Sequence, residues 1–283
     1  MRKTILVIGA TGGVGQATCR LLSDRGHRVI ATCRSQEQKW QLETEKLCSY
    51  AVPMNLSSQH SMELAFETLE NLAVQRLDGL INCAAITRPV PLEQMTGEDL
   101  KQIFQINVFS ALTTVQLALP LLRQCSKSRF DRPGKIIMVG STGSDVVLPL
   151  LGAYSATKFA LDAICDALRR ELDEDGIEVS LIKPGSIKTP MMDNHLQDID
   201  TVLENNASDD AQRYRRQYES HKKLMTLGYQ QGVSAEQVAE VIIKAFDARR
   251  PKARYPVGLA PKLLSGFATL APDALQDKLF QKL

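Results

Sequence analysis

Short apolar runs alternate along this chain with longer stretches in which apolar residues recur every three or four positions. Residues 5–8 (Ile-Leu-Val-Ile) are one such run, the mark of a strand buried on both faces. Residues 13–24 read as a helix that turns Leu21 and Leu22 inward. The rhythm continues with a strand at 28–32, a helix at 36–47, an extended segment at 50–54, a helix at 58–75 and a strand at 79–83. A long helical stretch at 98–125 contains Pro120, and a strand at 135–139, a helix at 153–173 and a strand at 178–182 follow. Strands that alternate with helices imply an α/β fold, doubly wound, with a parallel sheet covered on both faces.

After Pro190 the pattern changes. Residues 191–227 are polar and charged, with scattered leucines at 196, 203 and 224, and are expected to form helices over the sheet edge as a substrate lid. Residues 228–283 are expected to supply a helix at 234–249, an edge strand at 254–257 and an amphipathic helix at 272–283. With no internal repeat and no low-complexity linker, residues 1–283 read as a single domain.

Composition narrows the function. Hydrophobic residues are 44% of the 283, enough to bury a core, so a disordered chain is excluded. Thirty-four Lys and Arg against thirty-two Asp and Glu leave a net charge of +2, which is no electrostatic footprint for nucleic acid. Aromatics at 5% are too sparse for a base-stacking platform. No apolar run approaches the roughly 18–20 residues that span a bilayer, so no transmembrane segment is expected. The run after Met1-Arg2-Lys3 ends in glycines after five residues, too early for a signal peptide. Six dispersed cysteines without a C-x-x-C pair fit free thiols in a reducing compartment, and a cytoplasmic location is expected. The four histidines show no metal-ligand spacing, and no metal site is expected.

Three segments carry chemistry. The first, Gly9-Ala10-Thr11-Gly12-Gly13-Val14-Gly15, follows a strand and opens a helix. Glycines there let the backbone approach a pyrophosphate, and the helix N-terminus offers free N–H groups to it, which points to a dinucleotide. The second is the end of the second strand, Cys33-Arg34-Ser35, where an NAD site usually has an acidic residue for the ribose 2′-hydroxyl. Arg34 stands there instead, suited to clamp a 2′-phosphate, with the Ser35 hydroxyl beside it, so NADP(H) is preferred over NAD(H).

The third segment is Tyr154-x-x-x-Lys158, which puts an ammonium on the same helix face as a phenol. A cation lowers a phenol's pKa and makes it a better acid–base group at neutral pH. Ser141, thirteen positions earlier at a strand end, is placed to orient a substrate oxygen.

In this order, Gly9-x-x-x-Gly13-x-Gly15, Asn82-Cys83-Ala84-Ala85, Asn107, Ser141, Tyr154-x-x-x-Lys158 and Pro184-Gly185 resemble the short-chain dehydrogenase/reductase family over about residues 1–190. The resemblance implies a Rossmann-type single domain around a seven-stranded parallel sheet. It further implies a Ser141–Tyr154–Lys158 triad extended by Asn107. Tyr154 would be the acid–base group. Lys158 would lower its pKa and hold the nicotinamide ribose, Ser141 would polarise the substrate oxygen, and Asn107 would keep a helix kinked around a relay water. Pro184-Gly185-Ser186-Ile187-Lys188-Thr189 is similar to the segment that holds the nicotinamide carboxamide, through the Ile187 backbone and the Thr189 hydroxyl. Asn55 and Leu56 fall on the adenine side, with Asn55 in place of the family's usual aspartate. Ile8 and Cys83 also depart from the pattern.

Val146, Val147, Leu148, Leu150, Leu151, Met191 and Met192 are expected to form an apolar wall, which suits a lipophilic alcohol or ketone as the small-molecule substrate. Tyr255-Pro256-Val257 and a leucine-bearing C-terminus add a looser similarity to the steroid and retinoid dehydrogenase branch. The family also implies a homodimer or homotetramer through the two long helices. Two alternatives remain at this stage: a non-catalytic NADP(H)-binding redox sensor, and a sugar-nucleotide epimerase, for which the residues after Pro190 are few.

Overall fold

The computed structural model describes residues 2–126, 134–204, 209–258, 266–267 and 271–280. The strands are β1 (Thr4–Ile8), β2 (Arg28–Cys33), β3 (Tyr50–Pro53), β4 (Gly79–Asn82), β5 (Lys135–Val139), β6 (Glu178–Pro184), β7 (Ile187–Lys188), β8 (Val233–Ser234) and β9 (Arg254–Val257). Seven of them form one parallel sheet in the order β3-β2-β1-β4-β5-β6-β9, and β7 pairs with β8 in a small second sheet.

Each central strand reads as a continuous apolar run because its two faces enter two different cores. Leu6 and Ile8 of β1, Leu80 of β4 and Ile136 and Met138 of β5 point to one side. Ile5, Val7, Ile81 and Ile137 point to the other. The first core is closed by α3 (Gln59–Asn71), α5 (Ser110–Arg123) and α6 (Gly152–Glu171), through Met62, Phe66, Val115, Leu122, Leu161 and Leu168. The second is closed by α1 (Gly13–Asp24), α2 (Gln36–Thr44) and α9 (Ala235–Asp247), through Leu22, Leu42, Val238, Ile242 and Phe246. The strand order reverses between β1 and β4, so the connections leaving them diverge and open a crevice at their C-terminal ends, where ligands of such sheets bind.

Several elements end earlier than the pattern predicts. The α2 helix stops at Thr44 rather than 47, because Lys46 takes a left-handed conformation (φ 55°) that turns Leu47 into the core. The α3 helix stops at Asn71 rather than 75, with Ala73 at φ 53° ahead of buried Val74 and Leu77. The stretch expected as one helix over 98–125 is α4 (Gly97–Phe104), a π-turn at Gln105–Phe109, and α5. Gly97–Arg123 is long and apolar enough to cross a membrane by length and composition, which corrects the expectation that no stretch comes near this. Its buried residues, Ile103, Val108, Ala111, Val115, Ala118 and Leu122, pack inside the fold, as a core helix does.

The segment 191–227 folds as α7 (Pro190–Glu204) and α8 (Asp209–Gln231). Ile199 and Tyr218 close over Leu150, which lies between β5 and α6 and has φ 69°. The helix expected at 272–283 is α10 (Asp273–Phe280), and residues 281–283 lie outside the described residues, as does 259–265 of the leucine-bearing C-terminus.

Candidate active site

The crevice at the end of β1 is built from bare backbone. Gly9 has φ +72°, and a β-carbon there would stand 2.7 Å from the Ala84 nitrogen. At Gly15 it would stand 2.1 Å from the Gly9 carbonyl oxygen, so glycine alone lets α1 start this close to β1. Gly12 is exposed at the helix N-cap and accepts Gln16 N–H at 2.8 Å, Thr11 and Gly13 are half-buried, and Val14 anchors the first turn in the core. On the far side, Asn82 is buried and its Oδ1 accepts the Ala84 N–H at 2.9 Å, which shapes the loop facing Gly9.

Thr189 crosses above the glycine loop, with its Cγ2 2.9 Å from where a Gly13 β-carbon would be. In the sequence the strand before this segment is expected over 178–182. The fold extends β6 to Pro184 and makes Ile187–Lys188 the strand β7 on β8, which holds Thr189 at this place. These groups fit a dinucleotide: an open helix N-terminus, a glycine cradle that side chains would fill, and a hydroxyl-bearing cover.

At the end of β2, Arg34 and Ser35 are exposed, and the Arg34 guanidinium has no partner among the described residues. The Ser35 hydroxyl caps α2 by accepting Gln38 N–H at 3.2 Å, so it has a structural duty the sequence reading left out. Asn55 is exposed and its Oδ1 accepts Ser57 N–H at 3.0 Å in a local turn. The Leu56 carbonyl accepts from Gln105 Nε2 at 3.2 Å, which ties the segment after β3 to the π-turn.

Ser141, Tyr154 and Lys158 converge beyond β5. The Ser141 Oγ and Tyr154 Cε1 both lie 3.3 Å from the position of a Gly143 β-carbon, so the hydroxyl and the phenol ring stand side by side. Lys158 is buried at 1% exposure, donates to the Val139 carbonyl at 3.0 Å, and sits 5.5 Å from the centre of the Tyr154 ring. Burial pushes its pKa down to about 8, with Asp162 among the charges opposing the fall. The phenol differs from expectation. Desolvation holds Tyr154 above its ordinary pKa, and the opposing influence is the Ser141 hydrogen bond rather than the ammonium.

Asn107 is buried inside the π-turn and acts on backbone. Its Oδ1 accepts Ile86 N–H at 2.8 Å, and its Nδ2 donates to the Ile86 carbonyl at 2.9 Å and to Thr157 Oγ1 at 3.1 Å. Thr157 in turn donates to the Tyr154 carbonyl at 2.6 Å, so the π-turn is linked to the helix turn that carries the phenol.

Two residues at the site escaped the sequence reading. Thr32 accepts the Gly9 N–H at 3.2 Å and is buried, and Ser144 donates to Ser141 and Asp162. The signal for Thr32 was a lone hydroxyl in an otherwise apolar strand. Nothing comparable marked Ser144. Of the expected apolar wall, Val146 and Leu150 are core, whereas Val147 and Met191 are exposed.

A seven-stranded, doubly wound sheet with a glycine crevice at its reversal point and a Ser–Tyr–Lys group beside it defines a nucleotide-binding oxidoreductase fold. Residues 3–200 match the family model for short chain dehydrogenases, and the chain belongs to that family. It is 35% identical over 261 residues to the 3-amino-tetrahydro-pyrrolizinone reductase of Xenorhabdus hominickii, covering 91% of this chain and 87% of that one. It is 29% identical to the NADPH-dependent 3-dehydrocapnine reductase of Ornithobacterium rhinotracheale, covering 98% and 95%. With the estradiol 17-beta-dehydrogenase 2 of Mus musculus it shares 28%, covering 99% and 74%. A solved short-chain dehydrogenase from Streptomyces avermitilis superposes with a TM-score of 0.75 at 21% identity, over 99% of this chain and 96% of that one.

Proposed function

We propose that this oxidoreductase interconverts a carbonyl and an alcohol on a lipophilic small molecule, with NADP(H) preferred over NAD(H). The observation that carries the reading is the convergence of Ser141, Tyr154 and Lys158 next to the glycine crevice. When bound there, the nicotinamide dinucleotide supplies or accepts the hydride. The protein's part is position and a proton. Gly9, Thr11, Gly12, Gly13, Val14 and Gly15 take the pyrophosphate, Arg34 and Ser35 the 2′-phosphate, and Asn55, Leu56, Asn82 and Ala84 the adenosine side. Pro184, Gly185, Ile187 and Thr189 hold the nicotinamide end. Ser141 orients the substrate oxygen, Tyr154 gives or takes its proton, Lys158 supplies positive charge below its pKa of about 8, and Asn107 positions the helix of Tyr154.

A phenol kept as O–H by burial can donate its proton to a carbonyl oxygen at neutral pH. The exposed guanidinium at the end of β2, where no carboxylate stands, supports the cofactor choice. A relative that is by name NADPH-dependent supports it further. Val147 and Met191, exposed and apolar beside the site, support a lipophilic substrate bound beneath a lid of α7 and α8 in a single domain. Exposed Phe109 and Phe159 on the two long helix stretches support a homo-oligomer, and six free thiols support a reducing, cytoplasmic setting.

The test is NADPH oxidation against a panel of lipophilic ketones. Tyr154→Phe is expected to cut kcat by about 10²- to 10⁴-fold while NADPH affinity stays near its original value. A fully active variant removes Tyr154 as the proton donor.

A further inference from the structure

The loop that carries Ser141 is fastened by charges that the proposed chemistry does not use. Lys183, near the end of β6, is buried with a side-chain exposure of 6%, and its Nζ lies 2.6 Å from Asp145 Oδ1 and 3.1 Å from Asp162 Oδ2. Asp145 closes the short turn Thr142–Ser144 that directly follows Ser141. Asp162 lies on α6, four residues beyond Lys158 and eight beyond Tyr154, on the same helix face. The Ser144 hydroxyl stands between them, 3.0 Å from Asp162 Oδ1 and 2.8 Å from the Ser141 carbonyl, and shares its one proton between the two. Three chain segments thus meet at one ammonium: the Ser141 loop, the strand that leads into Pro184-Gly185, and the helix of Tyr154. Arg254 on β9 backs the group, 3.8 Å from Asp162 and 2.9 Å from Asp166.

A buried ammonium without counter-charges is costly, so Lys183 holds both carboxylates close rather than tolerating a displaced one. Before the turn the Gly140 N–H donates to the Ile182 carbonyl at 2.8 Å and after it Val146 is buried, and these charges hold the part between. Ser141 Oγ accepts Gly143 N–H at 3.0 Å within the same turn, a contact that moves with the loop. The Ser141 hydroxyl acts on the phenol only while the two segments keep a fixed separation, and such geometry is easily lost when its supports give way.

We propose that Asp145, Lys183 and Asp162 form an ionic clamp that sets the position of Ser141 against Tyr154. They are positioning residues that govern the proton-transfer geometry and leave dinucleotide binding alone. The inference rests on the roles given above to Ser141 and Tyr154.

The experiment compares Asp145→Asn, which keeps the shape and removes the charge, with Asp145→Glu, which keeps the charge. Two readouts are taken on the full chain: steady-state turnover, and the ¹³Cζ resonance of Tyr154 in tyrosine-labelled protein, assigned by its loss in Tyr154→Phe. Asp145→Asn is expected to lower kcat roughly 10- to 100-fold with NADPH affinity within about twofold of wild type. It is also expected to shift the Tyr154 resonance, as the Ser141 hydroxyl moves away from the phenol. Asp145→Glu is expected to recover most of both. An unchanged Tyr154 resonance in Asp145→Asn overturns the clamp whatever the turnover shows. A kcat loss that is matched by loss of NADPH binding overturns it as well. If wild type turns over no ketone yet the Tyr154 resonance moves in Asp145→Asn, the clamp stands and the proposed reaction falls.

Discussion

At the scale of single residues, the site depends on groups whose charge is set by burial. Lys158 and Tyr154 sit in one desolvated pocket, and desolvation disfavours the charged form of each: the ammonium is weakened to about 8 and the phenol is strengthened as an O–H. Sequence spacing alone places the two side chains on one helix face and suggests that the cation acts on the phenol. It carries no information on how dry that face is, and dryness reverses the direction of the Tyr154 shift. Arg34 is the opposite case, an exposed charge whose proposed value lies wholly in the ligand it meets. Arg34→Asp is expected to move cofactor preference from NADPH toward NADH by roughly tenfold or more, since a charge-assisted bond is lost and a carboxylate for the ribose hydroxyl is gained. The ratio of kcat/KM for the two cofactors measures this, and an unchanged ratio takes Arg34 out of the phosphate site.

At the scale of elements, the π-turn is the feature that the hydrophobic pattern does not show. Periodicity through 98–125 reads as one helix, and its apolar face is indeed continuous enough to pack on the sheet. The extra residue per turn at Gln105–Phe109 is held by Asn107, which pairs both polar groups of the Ile86 backbone and reaches Thr157 on α6. Asn107 marks the position in the sequence, but its partners are 21 and 50 residues away, so only the folded chain shows what it binds. Asn107→Ala removes the partner of the half-buried Ile86 N–H and carbonyl. It is expected to cost about 1–3 kcal/mol of stability, read from urea denaturation, with a drop in turnover as the Tyr154 turn loosens. The strand β7 is a similar case: two residues are too few for a pattern, and their pairing with β8 exists only because Gly232 lets the chains approach, its β-carbon position lying 2.7 Å from the Ser186 carbonyl.

At the scale of the whole molecule, the packing of α7 on α8 introduces a sensitivity to acid. His195 on α7 and His221 on α8 are both buried, with their Nε2 atoms 2.9 Å apart, and burial lowers each pKa from 6.5 to about 4. Asp198 pulls His195 back upward, whereas the like charge of His195 lowers His221 further. A folded pKa below the unfolded one means that the unfolded chain binds more protons between those values. Stability is therefore complete above about 6.5 and is lost as pH falls toward 4. The thermal midpoint is expected to drop by several degrees between pH 7 and pH 5. The double variant His195→Gln, His221→Gln is expected to flatten that dependence. An equal acid slope in the variant assigns the loss to other groups. Neither histidine showed a role in the sequence, because each is a single polar residue in a helix and their meeting is a matter of how α7 packs on α8.

What the order of residues settles here is local or repetitive: the alternation of buried strands and helices, the strand–glycine–helix turn, and the spacing of Tyr154 and Lys158. Each is fixed by steric or periodic rules that act over a few residues. The chain's three-dimensional path settles what depends on distant partners and on dehydration. It places Thr189 over Gly13, inserts the π-turn, gathers Asp145, Lys183 and Asp162 around one ammonium, and sets the protonation of Tyr154, Lys158 and the histidine pair. Burial and electrostatic coupling are sums over neighbours drawn from the whole chain, and no window of sequence contains them.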